Sequence, residues 1–142
     1  MTTVRQLLDH KGRNVWSIRP DATVYEAIAK MAEKDAGSLV VMDGEKLVGI
    51  ITERHYARNI MLKGKASPTT PVGDIMERRV VCATPEQTAE QCMAVMTDKR
   101  VRHLPVLEGK KVIGIISIGD LVKNIIGDQK FIIDQLVHYI HG

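Results

Sequence analysis

Leu39-Val40-Val41-Met42-Asp43-Gly44-Glu45-Lys46-Leu47-Val48-Gly49-Ile50-Ile51-Thr52 is answered 65 residues later by Leu104-Pro105-Val106-Leu107-Glu108-Gly109-Lys110-Lys111-Val112-Ile113-Gly114-Ile115-Ile116-Ser117. In each copy two short apolar, β-branched runs flank an acidic residue followed by glycine. That reads as a hairpin of two strands, with a loop somewhat looser than two residues. Pro105 has no N–H to donate, which places its strand at a sheet edge or a terminus. The repeat extends outward from the hairpin. With the same shift, Pro20 to Ile60 lies on Pro85 to Ile125 without an insertion, and 14 of the 41 positions are identical. Such a duplication sets the architecture as two like units before any single motif is weighed.

Each copy opens with a capping box, Thr23 with Glu26 and Thr88 with Gln91, a pairing that satisfies orphan N–H groups at a helix start. Behind the caps, apolar residues recur at helical spacing: Val24, Ala27, Ile28 and Met31, then Ala89, Cys92, Met93 and Met96. One buried helical stripe is thus written twice. A second helix closes each unit, at about 53–62 and 118–126, and a short strand precedes each first helix, near 15–18 and 80–83. The expected class is α/β (α+β), with a β-α-β-β-α order in each unit. The units occupy 1–62 and 72–126, joined by a Gly-, Ser- and Pro-containing linker at 63–71. Residues 127–142 hold a last amphipathic helix from Phe131 to Ile140, bearing Ile132 and Leu136 and reached through Gly127-Asp128. Units this small have marginal cores alone. They are expected to pack sheet to sheet about a pseudo-twofold axis, leaving two equivalent clefts between them.

The chain has 142 residues, 44% hydrophobic and 26% charged, with a formal net charge of +3. This is a globular composition. Cations and anions alternate, which argues against the basic stripe with stacking aromatics that nucleic-acid binding needs. No apolar run approaches the ~20 residues of a membrane span. Met1-Thr2-Thr3-Val4-Arg5-Gln6 has no hydrophobic signal core, and the expected setting is cytoplasmic. Cys82 and Cys92 fall on apolar faces and read as small buried hydrophobes. His10, His138 and His141 read as surface residues, and no metal site is indicated.

The unit of Thr-capped helix, hairpin and closing helix resembles the cystathionine-β-synthase (CBS) domain, and two in tandem resemble a Bateman module, over about residues 3 to 126. The most specific stretch is Gly114-Ile115-Ile116-Ser117-Ile118-Gly119-Asp120-Leu121, with a weaker copy at Gly49-Ile50-Ile51-Thr52-Glu53-Arg54-His55-Tyr56. Val4-Arg5-Gln6-Leu7-Leu8 and Val72-Gly73-Asp74-Ile75-Met76 resemble the short leader before each CBS motif. The resemblance implies a non-catalytic module for an adenine nucleotide: AMP first, with ADP, ATP, NAD and S-adenosylmethionine as alternatives. It implies that Asp120 accepts from both ribose hydroxyls with Ser117 beside it, and that Ile115 packs on the adenine. Lys11, Gly12, Trp16, Ala36, Gly37 and Ser38 would line the same cleft, with Arg102 and His103 toward the phosphates. The second cleft would use Ile50, Thr52, Arg54, His55, Arg79, Val81 and Val101. There His55 stands where the ribose-binding Asp is expected, and an imidazole cannot accept two hydroxyl donors as a carboxylate does. Two unequal sites are expected.

Plainer readings stand beside these. Ser117 and Asp120 fit an N-terminal cap, Gly49 and Gly114 fit a bulge or a close helix contact as well as backbone approach by a base, and Trp16 fits a core position. Arg102 and His103 fit solvated charge at a strand start. No GxxxxGK[ST] or GxGxxG motif sits in a fitting context, Lys63-Gly64-Lys65 included, and no nucleophile–base pair is evident. Three functions stay open: a nucleotide-responsive regulator of an unknown protein partner, a structural homodimerisation module with vestigial clefts, and, last, a small nucleotide-processing enzyme.

Overall fold

Helix boundaries follow the caps. The computed structural model describes residues 1–61 and 67–141, so residue 62 at the end of the expected first unit and 63–66 of the expected linker lie outside the described residues. Chain order runs α1 (Val4–Lys11), β1 (Ser17–Ile18), α2 (Val24–Lys34), β2 (Ser38–Asp43), β3 (Lys46–Thr52) and α3 (Glu53–Tyr56), which continues as a π-helical turn over Ala57–Met61. A 3-10 turn at Val72–Asp74 leads to α4 (Ala89–Lys99), β4 (His103–Glu108), β5 (Lys111–Ser117) and α5 (Ile118–His141). Thr3, Thr23 and Thr88 each close a full capping box, with Gln6, Glu26 and Gln91 as partners. The two long helices also stop alike. Asp35 and Arg100, in equivalent places of the repeat, both take a left-handed conformation, with φ of 51° and 56°, the usual way to end a helix.

β1 pairs parallel with β2, and β2 pairs antiparallel with β3; β4 and β5 form an antiparallel pair. Both hairpins carry an irregularity at matching points, Val41/Met42 and Val106/Leu107. The strand expected near Val80 to Ala83 does not form. Only an isolated parallel bridge, Ala83 with Val106, remains there. Pro105 supplies the reason. In the first unit the Val40 N–H donates to the Trp16 carbonyl at 3.1 Å. Pro105 stands in the place of Val40 and has no N–H, so the equivalent ladder bond cannot be made.

Two further boundaries differ from expectation. α5 runs unbroken through Gly127 and Asp128; one glycine costs a helix only about 1 kcal/mol, too little to stop so long an element. The second helix of unit 1 is short and widens into the π turn instead of staying α-helical.

Strand alternation sorts the side chains. Leu39, Val41 and Ile51 join α2 in one core, and Leu104, Val106 and Ile116 join α4 in the other. Alternate residues face the opposite way; Val40, only 1% exposed, belongs to neither cluster and lines a hollow together with Leu107 and Val112 of the other hairpin. The leaders are exchanged. Val4, Leu7 and Leu8 of α1 sit in the core of the second unit, whereas Val72, Ile75 and Met76 sit in the core of the first. Arg5 secures α1 there, donating to Glu86 at 2.8 Å and Glu108 at 2.6 Å. Gly114 and Gly49 make the exchange possible. A Cβ on Gly114 would stand 2.6 Å from Leu8 Cδ2, and one on Gly49 would stand 2.6 Å from Met76 Sδ. Gly114 therefore answers to close helix packing, and Gly49 to the close approach of the bend at Met76 and Glu77.

Candidate functional site

The start of α5 lies at the end of β5, so Ser117 is the last strand residue and the helix cap at once. The Asp120 N–H donates to Ser117 Oγ at 3.2 Å, and the Ser117 N–H donates to Asp120 Oδ2 at 2.8 Å. This is the capping reading of the motif, realised. The same carboxylate also faces a cavity of about 360 Å³, within the ~300–1,000 Å³ usual for small-molecule sites. Lys11, Gly12, Trp16, Ala36, Gly37, Ser38, His103, Ile115, Ser117 and Asp120 line it, together with Asn14, Lys34 and Asp35. Of the residues assigned from sequence to this first cleft, only Arg102 is not in the lining. It is exposed, and its carbonyl accepts from the Ile118 N–H at 2.9 Å.

Charge is arranged closely. Lys11 Nζ donates to Asp120 Oδ2 at 2.6 Å and to the Ile115 carbonyl at 2.7 Å. Burial disfavours ionisation of Asp120, but the hydrogen bonds from Lys11 and Ser117 outweigh it and hold the carboxyl below the usual carboxylate range. Burial pushes His103 below the ordinary imidazole value, helped by Lys11 and opposed by Asp120, so the ring is neutral at pH 7. Gly37 leaves it room, since a Cβ there would lie 3.2 Å from His103 Nε2. Trp16 packs partly against the first core and partly lines the cavity, with Lys34 Nζ 4.6 Å from its ring centroid, inside cation–π range. The core and ligand-facing readings of Trp16 are thus compatible.

Three lining residues escaped the sequence reading. Lys34 and Asp35 arrive because α2 ends on the left-handed Asp35 and turns its last residues into the seam; Asn14 comes from the segment between α1 and β1. The matched pair Lys34 and Lys99 in the repeat was the available signal, but an exposed lysine at a helix end is ordinary.

The second cleft is built differently. None of the three cavities described is lined by Ile50, Thr52, Arg54, His55, Arg79, Val81 or Val101. Ile50 exchanges two backbone hydrogen bonds with Glu77, at 3.0 and 2.9 Å. The position equivalent to Glu77 is Gly12, which has φ 99° and donates its N–H to the Leu8 carbonyl at 2.7 Å. Among the described residues this backbone bridge has no counterpart between Ile115 and Gly12. His55 Nδ1 accepts from the Thr52 N–H at 3.1 Å, which engages the one acceptor of a neutral imidazole. Val81 and Val101 pack against the second core, and Arg54 and Arg79 are exposed.

Two larger hollows offer less. One of about 1,420 Å³ opens between the hairpin turns, and its charged lining, Asp43, Glu45, Lys46, Arg78, Lys110 and Lys111, is all exposed. Half-buried Cys82 lines it, while Cys92 is buried in the second core; burial raises both thiols. Among the described residues, no three His, Cys, Asp or Glu are placed to hold a metal ion, and no helix is long and apolar enough to cross a membrane. His10 and His138 are exposed.

Known proteins share this fold. A mitochondrial CBS domain-containing protein of Arabidopsis thaliana, CBSX3, is 38% identical over 151 aligned positions, covering 99% of this chain and 73% of that protein. The structure of a signal-transduction protein with CBS domains from Burkholderia ambifaria superposes with a TM-score of 0.87 at 49% identity, over 90% of this chain and 96% of that one. At 22% identity, with a TM-score of 0.80, the CBS domain pair of protein MJ0100, crystallised with 5′-methylthioadenosine and S-adenosylmethionine, shares the fold over 90% of this chain and 98% of its own. The CBS domain family model matches residues 4–62 and again 72–127, and the chain belongs to that family as a tandem pair.

Proposed function

We propose that the protein is a non-catalytic regulatory module that binds an adenine nucleotide in the cleft of Asp120, with AMP placed first and ADP, ATP, NAD and S-adenosylmethionine as competitors. The observation that carries this reading is one ionised, half-buried carboxylate at a helix start, in a cavity whose walls come from both units. A carboxylate offers two acceptor oxygens to a vicinal diol. Ile115 and Trp16 supply apolar surface for a base, and Lys11, Lys34 and neutral His103 supply donors for phosphate. The solved pair with adenosine compounds bound supports the ligand class.

A ligand that touches both units biases their relative arrangement by its difference in affinity for the two states. That bias, passed to a protein partner, is the regulatory output proposed, in a cytoplasmic setting. Thermal melting of the full chain with each nucleotide tests the binding. A ligand at 100 times its dissociation constant adds about 2.7 kcal/mol to stability, a rise of several degrees. Flat melting curves with all five compounds sink the proposal.

A structural role has one observation of its own. Val122, Ile126, Phe131, Ile133, Leu136 and Val137 of α5 are exposed, and pairing with a second copy would cover them. Sedimentation equilibrium showing a dimer whose melting ignores every adenosine compound favours this second reading over the first.

A further inference from the structure

Lys11 is the last residue of α1 and reaches to the start of α5. Asp120 Oδ2 accepts from Lys11 Nζ at 2.6 Å and from the Ser117 N–H at 2.8 Å, which engages both of its lone pairs. Among the described residues, no hydrogen bond falls on Oδ1. A diol that donates one hydroxyl to each carboxylate oxygen must therefore compete with the ammonium for Oδ2.

We propose that Lys11 is a displaceable latch, and that it makes this cleft select phosphorylated adenosine ligands over the neutral nucleoside. The inference rests on the ribose–Asp120 reading above. When the diol takes Oδ2, the ammonium loses its carboxylate. Left with the Ile115 carbonyl as its partner, beside Lys34 and His103, it gains a new counter-charge from a ligand phosphate and none from an uncharged nucleoside. Asp35, the other carboxylate of the lining, is exposed and solvated and is a weak substitute. The side chain of Lys11 is 35% exposed, so it can swing without opening the core. The same residue thus guards the carboxylate in the free protein and meets the phosphate in the complex.

Isothermal titration of the full chain with AMP and with adenosine, for wild type and Lys11→Met, tests this. Wild type is expected to bind AMP about ten- to a hundredfold more tightly than adenosine, the range of a charge-assisted contact. In Lys11→Met that ratio narrows, with AMP weakened and adenosine unchanged or tighter. Lys11→Gln, which keeps a donor without the charge, narrows it likewise, and melting curves check that both variants fold. Equal weakening of both ligands, an unchanged ratio, or a wild type that does not discriminate overturns the latch alone. A wild type that binds neither compound overturns the ribose reading and the latch together.

Discussion

At the start of α5 a single side chain satisfies a helix N-terminus, holds an ammonium from another element and faces a cavity. Asp120→Asn keeps the shape and removes the charge. AMP affinity is expected to fall roughly 10- to 150-fold, the equivalent of about 1.5–3 kcal/mol for hydrogen bonds to a charged group. Titration measures it, and the melting temperature of the free variant separates the capping contribution. An unchanged affinity refutes the ribose assignment. His103 and His55 are the other perturbed groups of the seam, both lowered chiefly by burial. For a histidine held below its unfolded value, the unfolded chain takes up protons first on acidification. Their stability contribution is therefore complete above about pH 6.5 and lost as pH falls toward the folded values. Melting curves across this window should fall for wild type and flatten for a His55→Gln, His103→Gln double variant; parallel curves would show that neither ring is the cause. Ser117 and Asp120 were legible because a cap has a fixed spacing. Asn14, Lys34 and Asp35 were not, because polar residues at loops and helix ends carry no period, and only the left-handed turn at Asp35 turns them inward.

Between elements, the governing contact is α1 on β5 across Gly114. Leu8 is fully buried and has nowhere to retreat. Gly114→Ala is expected to cost about 1–3 kcal/mol by overpacking, read from urea unfolding. Adding Leu8→Ala should make the pair cost less than the sum of the single changes, the mark of direct contact; strict additivity would deny that the glycine serves this packing. Hairpins, capped helices and their order were written in periodicity and in the repeat. The missing strand near Val80 was foreshadowed by Pro105, whose lost N–H acts on a partner strand that local pattern does not reveal. The exchange of leaders was not legible at all. Val4, Leu7 and Leu8 announce a buried face, but nothing local says which core receives it.

Across the molecule, the twofold repeat is broken where the leaders end. The Gly12 N–H donates to the Leu8 carbonyl of α1, whereas Glu77 bridges to Ile50 on β3, and a histidine stands where the other half has its carboxylate. Unequal affinities of the two clefts are expected from these two differences together. His55→Asp restores only the second. Titration with AMP is expected to show one site in wild type and, in His55→Asp, either a second, weaker site or, if the Glu77 bridge keeps the cleft shut, no change. Two equal sites in wild type would contradict the asymmetry. The most direct trial of the central claim is a crystal structure of the chain grown with AMP. The ribose hydroxyls are expected on the Asp120 carboxylate, in the hollow lined by Trp16 and Ile115, with Lys11 moved toward the phosphate. Nucleotide density elsewhere, with the Lys11–Asp120 pair intact, would contradict it.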